Sequence, residues 1–379
     1  MAAFYSKDFT LGVLGGGQLG RMLIQEAIDL DVKVHVLDPD THAPCAAIAH
    51  QFTRGSFADE AAVLEFGRKC DVLTVEIEHV HTGALRQLEA EGIKVYPTPE
   101  VLSVVQDKGE QKLFYKKHGI PTAPFHLIDN AAQLSTHVNN FPAVQKLRKG
   151  GYDGKGVQVL HTATDLEVAF DAPSVLENKI EFEKEISVIV ARNVQGEVST
   201  FPLVEMEFNP QANLVEFLFS PADVSPRVEE RARQIAVDLV AALEHVGLLA
   251  VEMFVAGEEI WVNEIAPRPH NSGHHTIEAN VTSQYAQHLR AILGLPLGDT
   301  RLVQPAVMVN LLGAPGHEGP VHYEGLETVL GWPGVHVHLY GKSTTKPFRK
   351  MGHVTVTSAT LAHAQQLARN VLATVRVVS

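Results

Sequence analysis

Val251–Ile277 reads VEMFVAGEEIWVNEIAPRPHNSGHHTI, and the fold follows from how this stretch is read. Two apolar runs, Leu249–Val255 and Ile260–Ile265, flank the turn-prone Ala256–Glu259, the pattern of a β-hairpin. Each run carries a carboxylate where an apolar residue is expected: Glu252 in the first, Glu264 in the second. A three-residue loop sets the two directly opposite on one face, about 5 Å apart. Like charges that close raise each other's pKa unless a cation lies between them. Moving the loop by one residue pairs Glu252 with Asn263 instead, which still offers oxygen. Oxygen ligands suit Mg²⁺, which takes one or two carboxylates and leaves its other positions to phosphate and water. The solvated face of an ordinary hairpin would carry the same pattern. The next segment favours a site: Ala266–Thr276 crowds Arg268, His270, Asn271, Ser272, His274 and His275 together. No core needs so many polar side chains, and loops anchored by rigid elements are where sites form.

Upstream, the chain opens with an apolar strand, Phe9–Leu14, the turn Gly15-Gly16-Gly17-Gln18-Leu19-Gly20, a helical run from Arg21 to about Leu30, and a strand Val32–Leu37 ending at Asp38. This βαβ opening with a G-x-G-x-x-G turn is the dinucleotide-binding pattern, though alone it is weak. Its physical content is narrower. Glycines let amide N–H groups at a helix N-terminus approach an anion, and a substrate phosphate or carboxylate would serve as well as NAD. Val72–Ile77 is a buried-type strand that delivers Glu76 and Glu78 at its carboxyl end, where ligands of doubly wound sheets gather.

A boundary falls near Gly119–Pro124, after a charged amphipathic helix that ends at His118. Pro142–Lys146 and Val157–Leu160 then read as strands joined by a glycine-rich loop carrying Arg148, Lys149 and Lys155. No Walker motif is present, so the loop reads as a cationic flap able to close over phosphates. Ser174–Lys179 and Ile180–Val190 read as strands bearing Glu177, Glu181, Glu183 and Glu185, placed to meet adenine and ribose. Ser225–Val246 is a long amphipathic helix, and Tyr285, Leu289 and Ile292 form a core stripe. From about Gln304 the chain looks β-rich, with Lys342, Lys346, Arg349 and Lys350 clustered in one loop.

With 379 residues the chain should form two or three compact units. A formal charge of −13 argues against a nucleic-acid or membrane-surface binder, without excluding a local basic pocket. Cys45 and Cys70 are too few for a disulfide framework and read as core thiols. No apolar run reaches transmembrane length and no leader is evident, so a cytoplasmic enzyme is expected.

These motifs resemble the ATP-grasp enzymes, and among them the N5-carboxyaminoimidazole ribonucleotide synthetases of purine synthesis. The matching strings are GGGQLGRM at Gly15–Met22, GGYDGKG at Gly150–Gly156, NEIAPRPHNSGHHTIEA at Asn263–Ala279 and RKMGHVTV at Arg349–Val356. The resemblance implies an α/β and α+β chain: a Rossmann-like preATP-grasp domain over 1–106, an ATP-grasp domain over 107–300 with a flap subdomain near 112–190, and a small β-rich C-terminal domain over 301–379. It implies that ATP and bicarbonate give carboxyphosphate, whose carboxyl group passes to aminoimidazole ribonucleotide. Lys108 and Lys146 would bind ATP phosphates. Gly151, Tyr152, Asp153, Gly154, Lys155, Gly156 and Val157 would form the flap. Glu177, Asn178, Lys179, Ile180 and Glu185 would hold adenine and ribose, and Asn263 and Glu264 would complete the ATP site. Glu252 and Glu264 would hold Mg²⁺. Arg268, His270, Asn271, Lys342 and Arg349 would be catalytic. Gly17, Gln18, Leu19, Glu76, Tyr152, Arg268, Lys342, Arg349 and Lys350 would bind the ribonucleotide. A homodimer is implied as well. Two positions depart from the wider pattern: Ala266 where many ATP-grasp enzymes have asparagine, and Phe208 where a histidine often meets the nucleotide. The rivals are a formate-dependent glycinamide ribonucleotide transformylase, an NAD-dependent dehydrogenase and a non-catalytic nucleotide sensor.

Overall fold

The computed structural model describes residues 3–151, 156–209 and 214–379. The N-terminal layer is a parallel sheet built from β1 (Leu11–Leu14), β2 (Val34–Asp38), β3 (Gln51–Arg54), β4 (Val72–Val75) and β5 (Lys94–Val95), in the order β3-β2-β1-β4-β5. Helices α1 (Gln18–Asp29), α2 (Glu60–Gly67) and α3 (Thr82–Ala90) connect them, and α4 (Pro99–Val105) follows β5. Strand order reverses between β1 and β4. The glycine turn after β1 and Glu76 after β4 therefore meet in the crevice where such sheets take ligands. Helix α1 starts at Gln18, not at Arg21 as the sequence suggested, which puts Gln18 and Leu19 in its first turn.

Helix α5 (Lys108–His118) owes its start to Asp107, whose carboxylate accepts the amide N–H groups of Gly109 and Glu110. Gly119, at φ +67°, ends it in the left-handed conformation that glycine adopts without strain. An antiparallel sheet follows in the order β6-β9-β7-β8: β6 (Phe125–Ile128), β7 (Ala143–Leu147), β8 (Val157–Leu160) and β9 (Ser174–Asn178), with the short α6 (Ala131–Leu134) beside it.

The central sheet is antiparallel and spans most of the remaining chain. Its strands are β10 (Lys184–Arg192), β11 (Val198–Thr200), β12 (Val204–Asn209), β13 (Leu214–Ser220), β14 (Gly247–Ala256) and β15 (Glu259–Ala266), joined by three strands of the C-terminal part. The strand anticipated from Ile180 begins only at Lys184, so Ile180–Glu183 stays outside the ladder. Helix α7 (Pro226–Ala242), capped by Ser225, lays Ile235, Ala236 and Leu239 on one face of this sheet against Val188, Val190, Leu249 and Val251. Helices α8 (Thr276–Ala279) and α9 (Gln284–Ile292) follow the hairpin, and Tyr285, Leu289 and Ile292 of α9 are buried against β1 and α1 as the stripe predicted.

The C-terminal part comprises β16 (Ala306–Leu312), β17 (Gly319–Pro320), β18 (His322–Glu324), α10 (Leu326–Leu330), β19 (Val335–Leu339), β20 (Thr344–Thr345), β21 (Lys350–Thr357), α11 (Leu361–Thr374) and β22 (Arg376–Val378). Its main strands extend the central sheet, in the order β15-β14-β10-β12-β13-β16-β21-β19, with Phe217 of β13 opposite Val309 of β16. Helix α11, not anticipated from the sequence, buries Ala364, Ala368 and Val371 on these strands. Cys45 and Cys70 are buried and unpaired, as expected.

Candidate active site

The hairpin β14–β15 carries both registers foreseen from its sequence, joined by a bulge. Near the turn Ala256 opposes Glu259 and Met253 opposes Val262, the two-residue-loop register. Between Glu252 and Met253 the pairing slips by one, so Glu252 faces Glu264 and Val251 faces Ile265. Asn263 is the extra residue, and a bulge of this kind re-aims the side chains around it. Asn263 Oδ1 accepts from Lys146 Nζ at 2.7 Å, and Glu264 Oε1 accepts from Lys108 Nζ at 2.7 Å. Next door on β10, Ser187 opposes Glu252 and Glu185 opposes Phe254, bringing a third carboxylate to the same face. Burial, then Glu252, pushes Glu185 up to about 8. Burial, then Glu264, pushes Glu252 up to about 7. Glu264 goes the other way: burial works against its charge, but the charge and hydrogen bond of Lys108 hold it below the usual carboxylate range.

A divalent cation fits this donor set. Glu252 and Glu264 are two opposed carboxylates, one of them deprived of a full counter-charge, with an amide oxygen beside them. Among the described residues no three His, Cys, Asp or Glu gather as a self-sufficient metal site. A cation held here would take its other ligands from phosphate and water, as Mg²⁺ does.

Three lysines face these acids. Lys108 sits at the first position of α5, and Arg148 forks onto the Asp107 cap at 2.7 and 2.9 Å. The guanidinium expected on the flap is thus committed to the helix start, with Lys149 Nζ 3.9 Å from the same carboxylate. Lys146 of β7 reaches both Asn263 and, at 3.2 Å, Glu177 Oε2. The third, Lys112, lies one turn beyond Lys108. Its Nζ is 3.3 Å from Glu177 Oε1 and donates to Thr122 Oγ1 at 2.6 Å. The reading of the sequence passed over Lys112, although its i+4 spacing from Lys108 was a usable signal.

Past the hairpin, His270 Nε2 lies 3.6 Å from Glu252 Oε1. The Ser272 amide N–H donates to His270 Nδ1 at 3.3 Å, which assigns the ring proton to Nε2, facing Glu252. Ser272 Oγ is 2.9 Å from the same Nδ1 and 2.8 Å from Ser187 Oγ, tying the loop to β10. Burial, Arg268 and Lys350 hold the imidazole well below its ordinary pKa, so it is neutral. Neither serine was foreseen as a support for this histidine. Asn271, expected to face bicarbonate, is instead engaged at both ends of its amide by Asn310, at 2.9 Å each.

The glycine turn also differs from expectation. Glu76 Oε1 accepts the Leu19 N–H at 3.3 Å, and Gly17 N–H also points at this carboxylate. Gly16 N–H donates to Asp38 Oδ2 at 2.7 Å, while Asp38 Oδ1 takes the Asp40 N–H at 2.8 Å. The protein's own acids meet the amides expected to meet a ligand anion. Asp38 spends both oxygens on backbone, whereas in a dinucleotide site it would hold ribose hydroxyls. Burial pushes Glu76 up to about 7, with Arg268 pulling it back down, then the turn amides, then Lys342. Arg268 donates to Glu78 Oε1 at 2.7 Å. Lys342 donates to the Lys350 carbonyl at 2.7 Å, and the Lys350 charge acts on Glu252 and His270. Arg349 does not join them: its guanidinium donates to the carbonyl and hydroxyl of Thr344 at 2.7 and 3.0 Å.

Tyr152, Asp153, Gly154 and Lys155 of the expected flap lie outside the described residues. At its base Gly156, at φ +75°, accepts the Leu147 N–H through its carbonyl at 2.8 Å, Val157 opposes Lys146, and Gly151 lies close by. Asn178 and Lys179 donate their amides to Pro124 and Pro142 at 2.9 and 3.3 Å, and the Lys179 ammonium pairs with Glu181. Ile180 follows directly, outside the strands.

Comparison with known proteins agrees across the chain. Family models match for a ribonucleotide synthetase preATP-grasp domain at residues 9–106, an ATP-grasp domain at 113–285 and a phosphoribosylaminoimidazole carboxylase C-terminal domain at 306–367. The chain is 39% identical to N5-carboxyaminoimidazole ribonucleotide synthase of Synechococcus elongatus, over 97% of its own length and 95% of the relative's. Its fold matches the crystal structure of N5-carboxyaminoimidazole ribonucleotide synthetase from Thermotoga maritima with a TM-score of 0.91 at 42% identity, covering 98% of this chain and 99% of that one. A structure of the Aspergillus clavatus synthase, in complex with ADP and 5-aminoimidazole ribonucleotide, matches with a TM-score of 0.88 at 34% identity, covering 97% and 98%.

Proposed function

The chain belongs to the N5-carboxyaminoimidazole ribonucleotide synthases of the ATP-grasp family, and from that premise we propose how its residues divide the work. The reaction is the ATP-dependent carboxylation of aminoimidazole ribonucleotide to N5-carboxyaminoimidazole ribonucleotide. The observation that carries the assignment of the site is the bulge at Asn263, which opposes Glu252 to Glu264 and faces both with lysines. ATP lies over this face. Lys108 and Lys146 give up their bonds to Glu264 and Asn263 for phosphate oxygens, and Glu177 through Ile180 with Glu185 take adenine and ribose. Glu252 and Glu264 would hold Mg²⁺, which would supply positive charge beside the transferring phosphoryl oxygens. The flap, Gly151 through Val157, covers the phosphates.

Bicarbonate oxygen attacks the γ-phosphorus, the bond to the β-bridging oxygen breaks, and ADP leaves with carboxyphosphate formed. The exocyclic amine of the ribonucleotide then attacks the carboxyl carbon, phosphate departs, and the amine proton goes with it. Arg268 and the Nε2–H of neutral His270 present donors where charge builds on the carboxylate oxygens. The depressed basicity of the imidazole suits a donor that must not compete for the proton being lost. Gln18, Glu76, Lys342 and Lys350, with Tyr152 of the flap, orient the ribonucleotide. Excluding water protects carboxyphosphate. The three domains are taken as 1–106, 107–300 and 301–379, and the working form as a homodimer in the cytoplasm. No helix among the described residues is long and apolar enough to cross a membrane.

Phosphate release from ATP, measured with aminoimidazole ribonucleotide and bicarbonate each present or omitted, tests this reading. Release that requires the ribonucleotide supports it; release indifferent to the ribonucleotide sinks it.

A further inference from the structure

The buried Lys112 takes no part in the chemistry proposed for the site, yet it touches Glu177 and Thr122 beside it. Its side chain is 3% exposed, against 16% for Lys108 and 12% for Lys146, so its ammonium is buried more deeply than theirs. It meets Glu177 Oε1 at 3.3 Å while Lys146 meets Oε2 of the same carboxylate at 3.2 Å. Its other bond runs to Thr122 Oγ1, and the Thr122 hydroxyl donates to the Val262 carbonyl at 2.8 Å, one residue before the bulge at Asn263.

We infer that Lys112 is a positioning residue for ATP, acting through Glu177: it neutralises and orients that carboxylate so that Lys146 is free to transfer to phosphate. The cause is electrostatic. When Lys146 turns to a phosphate, Glu177 would be left buried beside a polyanion, and an uncompensated buried charge is costly. Lys112 supplies the compensation from its more deeply buried position. Consistent with that geometry, burial pulls Lys112 down to about 8, while Glu177 pulls it back up and is itself held low by the two lysines. The inference rests on the placement of ATP on this face.

The test is steady-state kinetics on Lys112→Met, Lys112→Gln and Glu177→Gln, with Lys112→Met/Glu177→Gln as the double variant. Loss of one charged hydrogen-bond partner corresponds to a rise of about tenfold or more in KM for ATP. For the two Lys112 single variants, KM for the ribonucleotide should stay within about twofold, as should kcat, a split that general damage to the fold would not produce. The double variant should be no worse than Glu177→Gln alone, because Lys112 acts through that carboxylate. Lys112→Gln keeps a donor for Thr122 and serves if the methionine variant does not fold. An unchanged KM for ATP in either folded variant overturns the inference, as does a double variant whose defects multiply. Failure of the site reading looks different: the wild type itself would then show no saturable ATP dependence.

Discussion

Replacing Glu252 with glutamine should make the metal-free protein more stable at pH 8 while abolishing its turnover. The carboxyl of Glu252 titrates at about 7 in the folded protein against a reference of 4.5, first through burial and then through Glu264. A raised carboxyl favours its protonated form in the fold. Its stability advantage is therefore full below about pH 4.5 and is lost as pH rises through about 7. At roughly 1.4 kcal/mol per unit, the charged form costs about 3 kcal/mol at pH 8. The side chain keeps 20% exposure to the cavity, and solvent trims the figure to about 2 kcal/mol. Glutamine has no charge to bury, and its amide oxygen still accepts from His270.

The assay is thermal melting without divalent cation at pH 8 and pH 5, on wild type and Glu252→Gln. A chain of 379 residues gains roughly 1–2 °C per kcal/mol, so the variant should melt about 2–4 °C higher at pH 8. At pH 5 the two should nearly coincide. Added Mg²⁺ and ADP should raise the wild type and close the gap, because they compensate a charge the variant lacks. A variant that melts at or below wild type at pH 8, or a gap equally large at pH 5, refutes the argument that the two glutamates repel each other.

Glu264→Gln should abolish phosphate release at saturating magnesium while preserving the fold by circular dichroism, because it removes one metal oxygen charge and the partner of Lys108; full activity would end its assigned role. Ser272→Ala removes the hydroxyl shared by His270 Nδ1 and Ser187. A kcat about tenfold lower with KM for ATP unchanged is expected from losing one oriented donor; no effect on kcat would mean that the Ser272 amide alone fixes the ring. Gly313→Ala places a Cβ 2.1 Å from the Lys346 carbonyl oxygen and 2.4 Å from Thr345 Oγ1. The backbone cannot yield cheaply, so a loss of about 2 kcal/mol or more is expected, together with a higher KM for the ribonucleotide from displacement of the Lys342–Lys350 loop. Melting temperature and KM both within error of wild type would contradict that packing.

The sequence made the hairpin legible because a carboxylate inside each apolar run breaks the local rule that strands bury apolar residues. It offered two registers without choosing, since the choice lay in a bulge at Asn263 that no alternation pattern announces. Glu76 was legible as the acid past a buried strand, but its partners were not. The turn amides looked like a ligand's anchor because glycine spacing reports accessible N–H groups and not what fills them. The partners of Asn271 and Arg349 were illegible for a related cause. A polar residue in a site-like string can be consumed by a neighbour distant in sequence, as Asn271 is by Asn310, or by its own loop, as Arg349 is by Thr344. Helix α11 went unseen behind the glycine and proline punctuation that precedes it. Lys112 shows the converse failure: in a charged helix it looks solvated, and its i+4 spacing from Lys108 was the sign that the two share a face.

The acidic residues of this site argue that its stability is conditional by construction. Glu177, Glu185, Glu252 and Glu264 converge on Lys108, Lys112 and Lys146, so four carboxylates meet three ammonium groups. Two of the acids respond by rising to about 8 and about 7, which leaves the cluster near neutrality by protonation instead of pairing. A core built only for stability would replace such an ensemble with apolar side chains at little loss. The cluster makes sense where a cation and a polyanion arrive together. Lys108 and Lys146 would then exchange Glu264 and Glu177 for phosphate, leaving Glu264 to a metal beside Glu252 and Glu177 to Lys112. Each ligand alone would leave like charges facing one another. Local conflict in a sequence otherwise consistent with its fold marks the place where function overrides packing. Here that place is the bulge at Asn263, where one additional residue turns an ordinary hairpin into opposed acids.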